Sequence, residues 1–472
     1  MKGRTVLRSM IPVPRSLRSE TRYWVLLSLS SLALAGGLAL LLALSRTPGV
    51  QEYLPVHFFR AALVTHVIFS VVIWYLGMAA AVCTYLVAAR SSPYFSEERT
   101  DLFRFAPSLA MGGMVLLLVP FSLGLGEPSL NNYVPVIGHP VFGLGLVLLG
   151  VAFSAPFYRV LMWPDGRDSG ACLFCARGLA AVWFLALVCC VLAALTMPSG
   201  LQSVPFNETL FWGTGHLLQF LNFLMMVLIW QDVGRRLHGE YPLSSGLLRT
   251  IVVLVVSVAL LGPFLYLFLD PRDARLFSHF TLLYQLGLIG QPFLAVAGLV
   301  GALLCRGLKP GTVQGTGLGL SCLLFVIGGL FGYVLGGGDT RTPAHYHLVI
   351  GGVMLALMVF LATVLLPWLG YSLVRMRSVL RCLGLYGAGQ LLHAGGLFVA
   401  GSSGVARKTA GGSQGLDTPL EIVSMLAMGC GALIAVIGGA SFVWIIGSRL
   451  LGPPSVLSES LTESGGRYLA KT

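Results

Sequence analysis

His345 and His347 stand two residues apart in "TPAHYHLVIGGVMLALMVFLATVLLPWLG" (residues 342–370), at the head of a long apolar run. Neutral imidazole is a common metal ligand and an ionisable group near neutral pH, so its placement in lipid calls for a partner. On a regular helix, two positions subtend about 200° around the axis, at about 100° per residue. The two rings therefore point to opposite sides and cannot bind one metal together. A zinc pair would sit instead at i, i+3 or i+4. The spacing calls for two cofactors, one on each flank of the helix.

The elements that must position these rings are set by composition. Hydrophobic residues make up 56% of the chain and charged residues 10%, with mean hydropathy +0.85. An ordinary soluble domain has roughly 25% charged residues. Runs of about 20 apolar residues can cross the hydrocarbon core as helices. They are expected near 23–45, 60–88, 103–125, 137–159, 173–197, 207–231, 246–269, 277–304, 314–336, 343–369, 380–402 and 419–447. The first run is long and lacks a small-residue cleavage site, so it reads as a retained anchor. The expectation is an all-α integral membrane protein with about twelve transmembrane helices. A basic cytoplasmic segment (1–22) precedes a membrane domain (23–450) and a cytoplasmic tail (451–472).

The placement of charge explains the net +12. With the N-terminus in the cytoplasm, only Arg46, Arg60, Arg272, Arg275, Arg341, Arg407 and Lys408 of the thirty basic residues fall outside. Arg4, Arg8, Arg90, Arg99, Arg159, Arg167, Arg235 and Arg236 are among those inside. This bias gives an even number of spans and two cytoplasmic termini, as in a bacterial inner membrane. Nothing further supports nucleic-acid binding. The nine cysteines lie mostly in apolar runs. Cys172-x-x-Cys175 is a lone pair without a following His, and reads as reduced structural thiols.

With the topology assigned, depth can be compared. His66, His216, His279, His345, His347 and His393 lie on five different spans, all toward the outer side. Six imidazoles at one depth read as a cofactor layer rather than as scattered packing. The inner halves offer neutral groups such as Asn222, Gln291 and Thr363, while Glu208 and Glu421 lie near outer ends and Asp232 near an inner end. That pattern predicts weak or absent proton pumping.

A tenth span with "AHYH" near its outer end resembles subunit I of the haem–copper oxidase superfamily (heme–copper oxidase, the cytochrome c oxidase and nitric oxide reductase large subunits). The likeness extends from the second span to the connection after the eleventh. The resemblance implies two haems and a copper or non-haem iron. His66 and His347 would clamp a low-spin haem, His345 would be the protein ligand of a high-spin haem, and His216 would bind the metal opposite it. His279 would be a further metal ligand. "GDTRTPAHYH" and "GVARKTAG" resemble the family's stretches beside haem propionates, which makes Asp339, Arg407 and Lys408 propionate-side candidates. His393 falls where relatives carry a non-ligand His, with a spare-ligand role secondary. "NNYVPVIGHP" is also family-like, with His139 read as structural; His57 lies out of phase with His66.

Departures from the pattern cluster on one side. Ser278-His279-Phe280 stands where two adjacent histidines are usual, and Phe220 stands where many oxidases place a cross-linked tyrosine. Nitric oxide-reducing relatives often carry a carboxylate there. Gln219 could bond a ligand or pack, and Tyr266 and Tyr284 are candidate substitutes for the missing phenol. The resemblance implies a respiratory oxidoreductase that passes electrons from the low-spin haem to the high-spin centre and reduces dioxygen, or nitric oxide in a reductase. A subunit that keeps haem for electron transfer, sensing or assembly is the alternative from another class. A transporter would place polar residues at the midplane on broken helices. No copper-binding cysteine cluster or C-x-x-C-H motif occurs. Electrons would therefore come from a partner subunit, cytochrome c or cupredoxin-like, or from a quinol.

Overall fold

A computed structural model describes residues 15–50, 55–89, 103–163, 170–197, 203–271, 273–335, 337–372 and 375–454. Arg4, Arg8, Arg90, Arg99, Arg167 and Arg272, and most of the tail expected from 451, lie outside the described residues. Among the described residues, each of the twelve apolar runs is a helical segment, the eighth interrupted, that is long and apolar enough to cross a membrane. In lipid the backbone must satisfy its own hydrogen bonds, and helices do this within one segment. The described cysteines are all free.

Three spans form the centre. The apolar windows of the second (Phe58–Ala88), sixth (Val204–His238) and tenth (Arg341–Trp368) spans are 83%, 83% and 89% buried, against 28–44% for the other nine. These central helices carry His66, His216, His345 and His347. The second span opens into a π-helical turn at Ile68–Ile73, beginning two residues after His66, and the tenth does so at Leu361–Leu365. Such turns re-aim side chains and recur at functional sites. Ser31 on the first span donates to the carbonyl of Phe69 at 2.6 Å, satisfying a group within the first turn.

Two elements differ from the sequence expectation. The eighth span is two helices, Ala274–Gly287 and Gly290–Arg306. Pro292 lies early in the second helix, where its ring opposes the carbonyl four residues back at Leu288, and glycines flank the break. The first helix begins at Arg15, within the expected basic cytoplasmic segment 1–22. Glu20 is buried there, 2.9 Å from Arg159 of the fourth span (Pro140–Met162). The Arg159 pair and the hydrogen bond donated by Trp24 Nε1 at 3.2 Å offset part of the cost of burying this carboxyl group.

The two ends of the bundle are separately laced. Arg22, at the start of the first span, donates to the carbonyl of Leu450 at the end of the twelfth, at 2.7 Å. Both ends of the membrane domain thus lie on one side. At the other side Arg46 follows the first span (Ser16–Leu44) and donates to Gln414 and to the carbonyl of Ala406, in the connection between the eleventh (Met376–Ser402) and twelfth (Pro419–Leu451) spans.

Candidate functional site

The first, second, tenth, eleventh and twelfth spans enclose a cavity of about 830 Å³. Its wall is mainly apolar, and three imidazoles enter it: His66, His347 and His393. His66 Nδ1 lies 2.9 Å from the carbonyl oxygen of Ala35, and His393 Nδ1 lies 3.0 Å from that of Met428. A carbonyl only accepts, so both rings carry their proton on Nδ1 and keep the lone pair on Nε2. His347 lies edge-to-face against His393, with centroids 4.7 Å apart and planes at 76°. The carbonyl of Ile350, one turn on from His347, accepts a hydrogen bond from Tyr75 at 2.7 Å.

One end of this cavity is cationic. Arg46, Arg407 and Lys408 line it together with Tyr346. Burial holds Arg46 down to about 10 and Lys408 down to about 8, the latter helped by the neighbouring Arg407. An anionic group entering here would favour their charged forms. Asp339 is committed elsewhere. It forms a 2.7 Å ion pair with Arg341, and that guanidinium's hydrogen bonds hold its carboxyl below the usual range. Asp339 bridges the strand-like backbone at Ala406, which fixes the connection that carries Arg407 and Lys408.

His345 turns away from this cavity. Its Nδ1 donates to the carbonyl of Gly328 on the ninth span (Val313–Val334) at 2.7 Å. A Cβ at Gly332 would stand 2.9 Å from the His345 ring, so the glycine admits it. His345 and His347 therefore serve different neighbours, as their two-residue spacing requires.

The region around His216 is packed. The ring is buried, and Nδ1 lies 2.8 Å from the carbonyl of Trp212. Tyr133, from the connection before the fourth span, places its hydroxyl 3.0 Å from Nε2. Phe280 and Tyr284 stand with ring centroids 5.8 and 5.9 Å from the imidazole. His279 is not brought to this group. It is exposed on the outside of its helix, with Nδ1 bonded to the carbonyl of Arg275 at 2.7 Å. Successive residues differ by about 100° around a helix, so turning Phe280 inward turns His279 outward. Phe220 is fully buried and meets Tyr284 with ring centroids 6.3 Å apart. Gln219 donates to its own helix at Gly215 and borders a small cavity shared with Tyr133. Tyr266 accepts from the backbone N–H of Gly213 at 3.2 Å.

The chemistry of the donor sets differs between the two regions. Lone-pair nitrogens from His66 and His347 beside a small-molecule-sized cavity with a cationic end fit a haem with its carboxylates. The Nδ1–H bond of His345 leaves the Nε2 lone pair free, which fits a single-histidine iron ligand. Copper or non-haem iron opposite it does not fit. His216 has both nitrogens engaged, His279 faces away, and among the described residues no group of three or more His, Cys, Asp or Glu could hold a metal. Arg46 and Tyr133 were not singled out from sequence. Arg46 could have been found from its outer position, and Tyr133 from "NNYVPVIGHP".

A polytopic helical membrane protein with imidazoles converging on a cavity from its second and tenth spans defines the class of protein. The sequence profile of the family described as cytochrome c and quinol oxidase polypeptide I matches residues 21–440, and the chain belongs to that family. It is 31% identical over 350 residues to an uncharacterized protein of Aquifex aeolicus (strain VF5), covering 74% of this chain and 85% of the relative. It is also similar to the uncharacterized protein RP382 of Rickettsia prowazekii (strain Madrid E), at 25% identity over 490 residues, covering 90% and 95%.

Proposed function

We propose that this chain is a haem-bearing redox subunit of a respiratory membrane, seated in a bacterial inner membrane with both termini cytoplasmic. His66 and His347 would hold a low-spin haem, and Arg46, Arg407 and Lys408 would receive its carboxylates. A haem so held supplies reversible one-electron transfer. The observation that carries this reading is the convergence of His66 and His347 on one cavity with three cations at one end.

The chain's own residues set the conditions for that chemistry. The Ala35 carbonyl fixes the His66 tautomer and ring direction. The apolar wall lowers the local dielectric beside the half-buried Arg46, Arg407 and Lys408, which would strengthen their attraction for an anionic group. On the other flank, His345 would ligate a high-spin haem, with Gly328 fixing its ring. Dioxygen is the substrate expected there, and nitric oxide is the enzyme alternative. Electrons would come from a cytochrome c or cupredoxin-like partner, or from a quinol.

A second reading is a subunit that transfers electrons, senses or assembles without turnover. One observation favours it: Phe280 rather than His279 faces His216. Reduced-minus-oxidised and carbon monoxide difference spectra of the purified chain separate the readings. Two haems, one binding carbon monoxide in a His345-dependent manner, support the oxidoreductase. One haem that ignores carbon monoxide supports the second reading, and a chain without haem removes both.

A further inference from the structure

The Tyr133–His216 pair has a defined polarity. The Trp212 carbonyl oxygen accepts from His216 Nδ1, so Nε2 keeps its lone pair and the Tyr133 hydroxyl donates to it. That lone pair is the one a metal at His216 would need, because Nδ1 is already turned to the helix backbone.

Several independent features hold the phenol in place. Tyr133 has φ +63°, a left-handed conformation uncommon for a bulky residue. On the sixth span Gly215 leaves the space it occupies: a Cβ there would stand 2.2 Å from both Cβ and Cγ of Tyr133. The preceding residues are clamped. Asn132 donates from its backbone N–H and side-chain amide to the two carboxylate oxygens of Glu208, at 2.8 and 2.6 Å. Lys408 donates to the carbonyl of Leu130 and, at 3.1 Å, to Asn132 Oδ1. Lys408 itself has φ +61°, and it holds the residues next to Tyr133. The space beside Tyr133, Gln219 and Asn222 is about 10 Å³, about one water.

We propose that the Tyr133–His216 hydrogen bond stands in place of the second metal. His216 is an acceptor rather than a metal ligand, and its side of the site presents a phenol proton instead of copper or non-haem iron. Metal binding at Nε2 would have to expel a side chain that the glycine, the strained loop and the Glu208 and Lys408 clamps all hold in place.

The test uses the purified full chain, expressed with added copper and iron, alongside H216Q and Y133F. Haem is counted separately as its pyridine complex, so failure of haem binding at His66 and His347 is read apart from this inference. The expected result is far less than one copper or non-haem iron per chain, with no difference between wild type and H216Q. One equivalent of either metal in the wild type that disappears in H216Q overturns the proposal. Should H216Q fail to fold, nitrogen-15 histidine spectra of the wild type and Y133F decide. One neutral Nδ1–H imidazole should shift its Nε2 signal in Y133F and stay unmoved when copper(I) is added to the wild type. An Nε2 signal displaced by copper(I), or one indifferent to Y133F, overturns it.

Discussion

The His66–His347 region, between the second and tenth spans, and the His216 region, on the sixth span, are built in opposite ways. The first surrounds about 830 Å³ with apolar walls, the imidazoles of His66 and His393 anchored to backbone carbonyls, His347 against His393, and a cationic end. The second fills its space with Tyr133, Trp212, Phe280 and Tyr284 and satisfies both nitrogens of its histidine. A histidine in a membrane helix is therefore not informative by depth alone. His216 differs from His66 in that both of its ring nitrogens have protein partners, whereas His66 is bonded through Nδ1 and faces the cavity.

The largest expected effect breaks the first region. His347→Ala or His66→Ala should abolish the low-spin haem spectrum, and the loss of a tightly bound group should lower thermal stability by mass action. The same substitutions should leave the packing around His216 intact, read by the near-ultraviolet signal of Trp212 and Tyr133. Next comes Gly215→Val, which forces a branched side chain into the space of Tyr133. Overpacking of this kind costs about 1–3 kcal/mol. Thermal unfolding should record it while the haem content of the first region is unchanged; a parallel loss of haem would show that the two regions are not independent.

Tyr133→Phe is milder. It removes the hydroxyl donor to a buried imidazole, and leaving that acceptor unsatisfied costs about 1–3 kcal/mol. Unfolding of the variant should show this against an unchanged low-spin spectrum. The smallest effect concerns Lys408, which joins the regions by lining the cavity and clamping the Tyr133 loop. Its folded pKa of about 8 lies below the ordinary lysine value, because the site is buried. Between that value and about 10.5 the unfolded chain binds more protons than the folded one, so stability from this residue rises with pH across the window. Lys408→Met in the haem-free chain should flatten that slope relative to wild type in unfolding measured from pH 8 to 10.5.

The bundle was legible because hydropathy reports spans directly. The histidine layer followed from counting residues into each span. The opposed faces of His345 and His347 followed from helical phase. Other features depended on partners far away in the chain. Tyr133 meets His216 across 83 residues, and Lys408 reaches Asn132 across 276, separations on which local periodicity is silent. The direction of His279 turns on which helix face meets the sixth span, and sequence alone assigns that face equally well to Phe280. Glu20 was hidden because its neighbours are basic, which made a buried helix end resemble a solvent segment. The break in the eighth span did have a local signal in Pro292 between glycine-flanked turns.

The central claim is that His66 and His347 hold one haem between them across the bundle. Near-infrared magnetic circular dichroism of the oxidised, purified chain tests it most directly, because the band position reports the pair of axial ligands. A bis-imidazole band is expected in the wild type, lost in His66→Ala and in His347→Ala and retained in His345→Ala. A haem with any other ligand pair, or a bis-imidazole band that survives in His347→Ala, would contradict it.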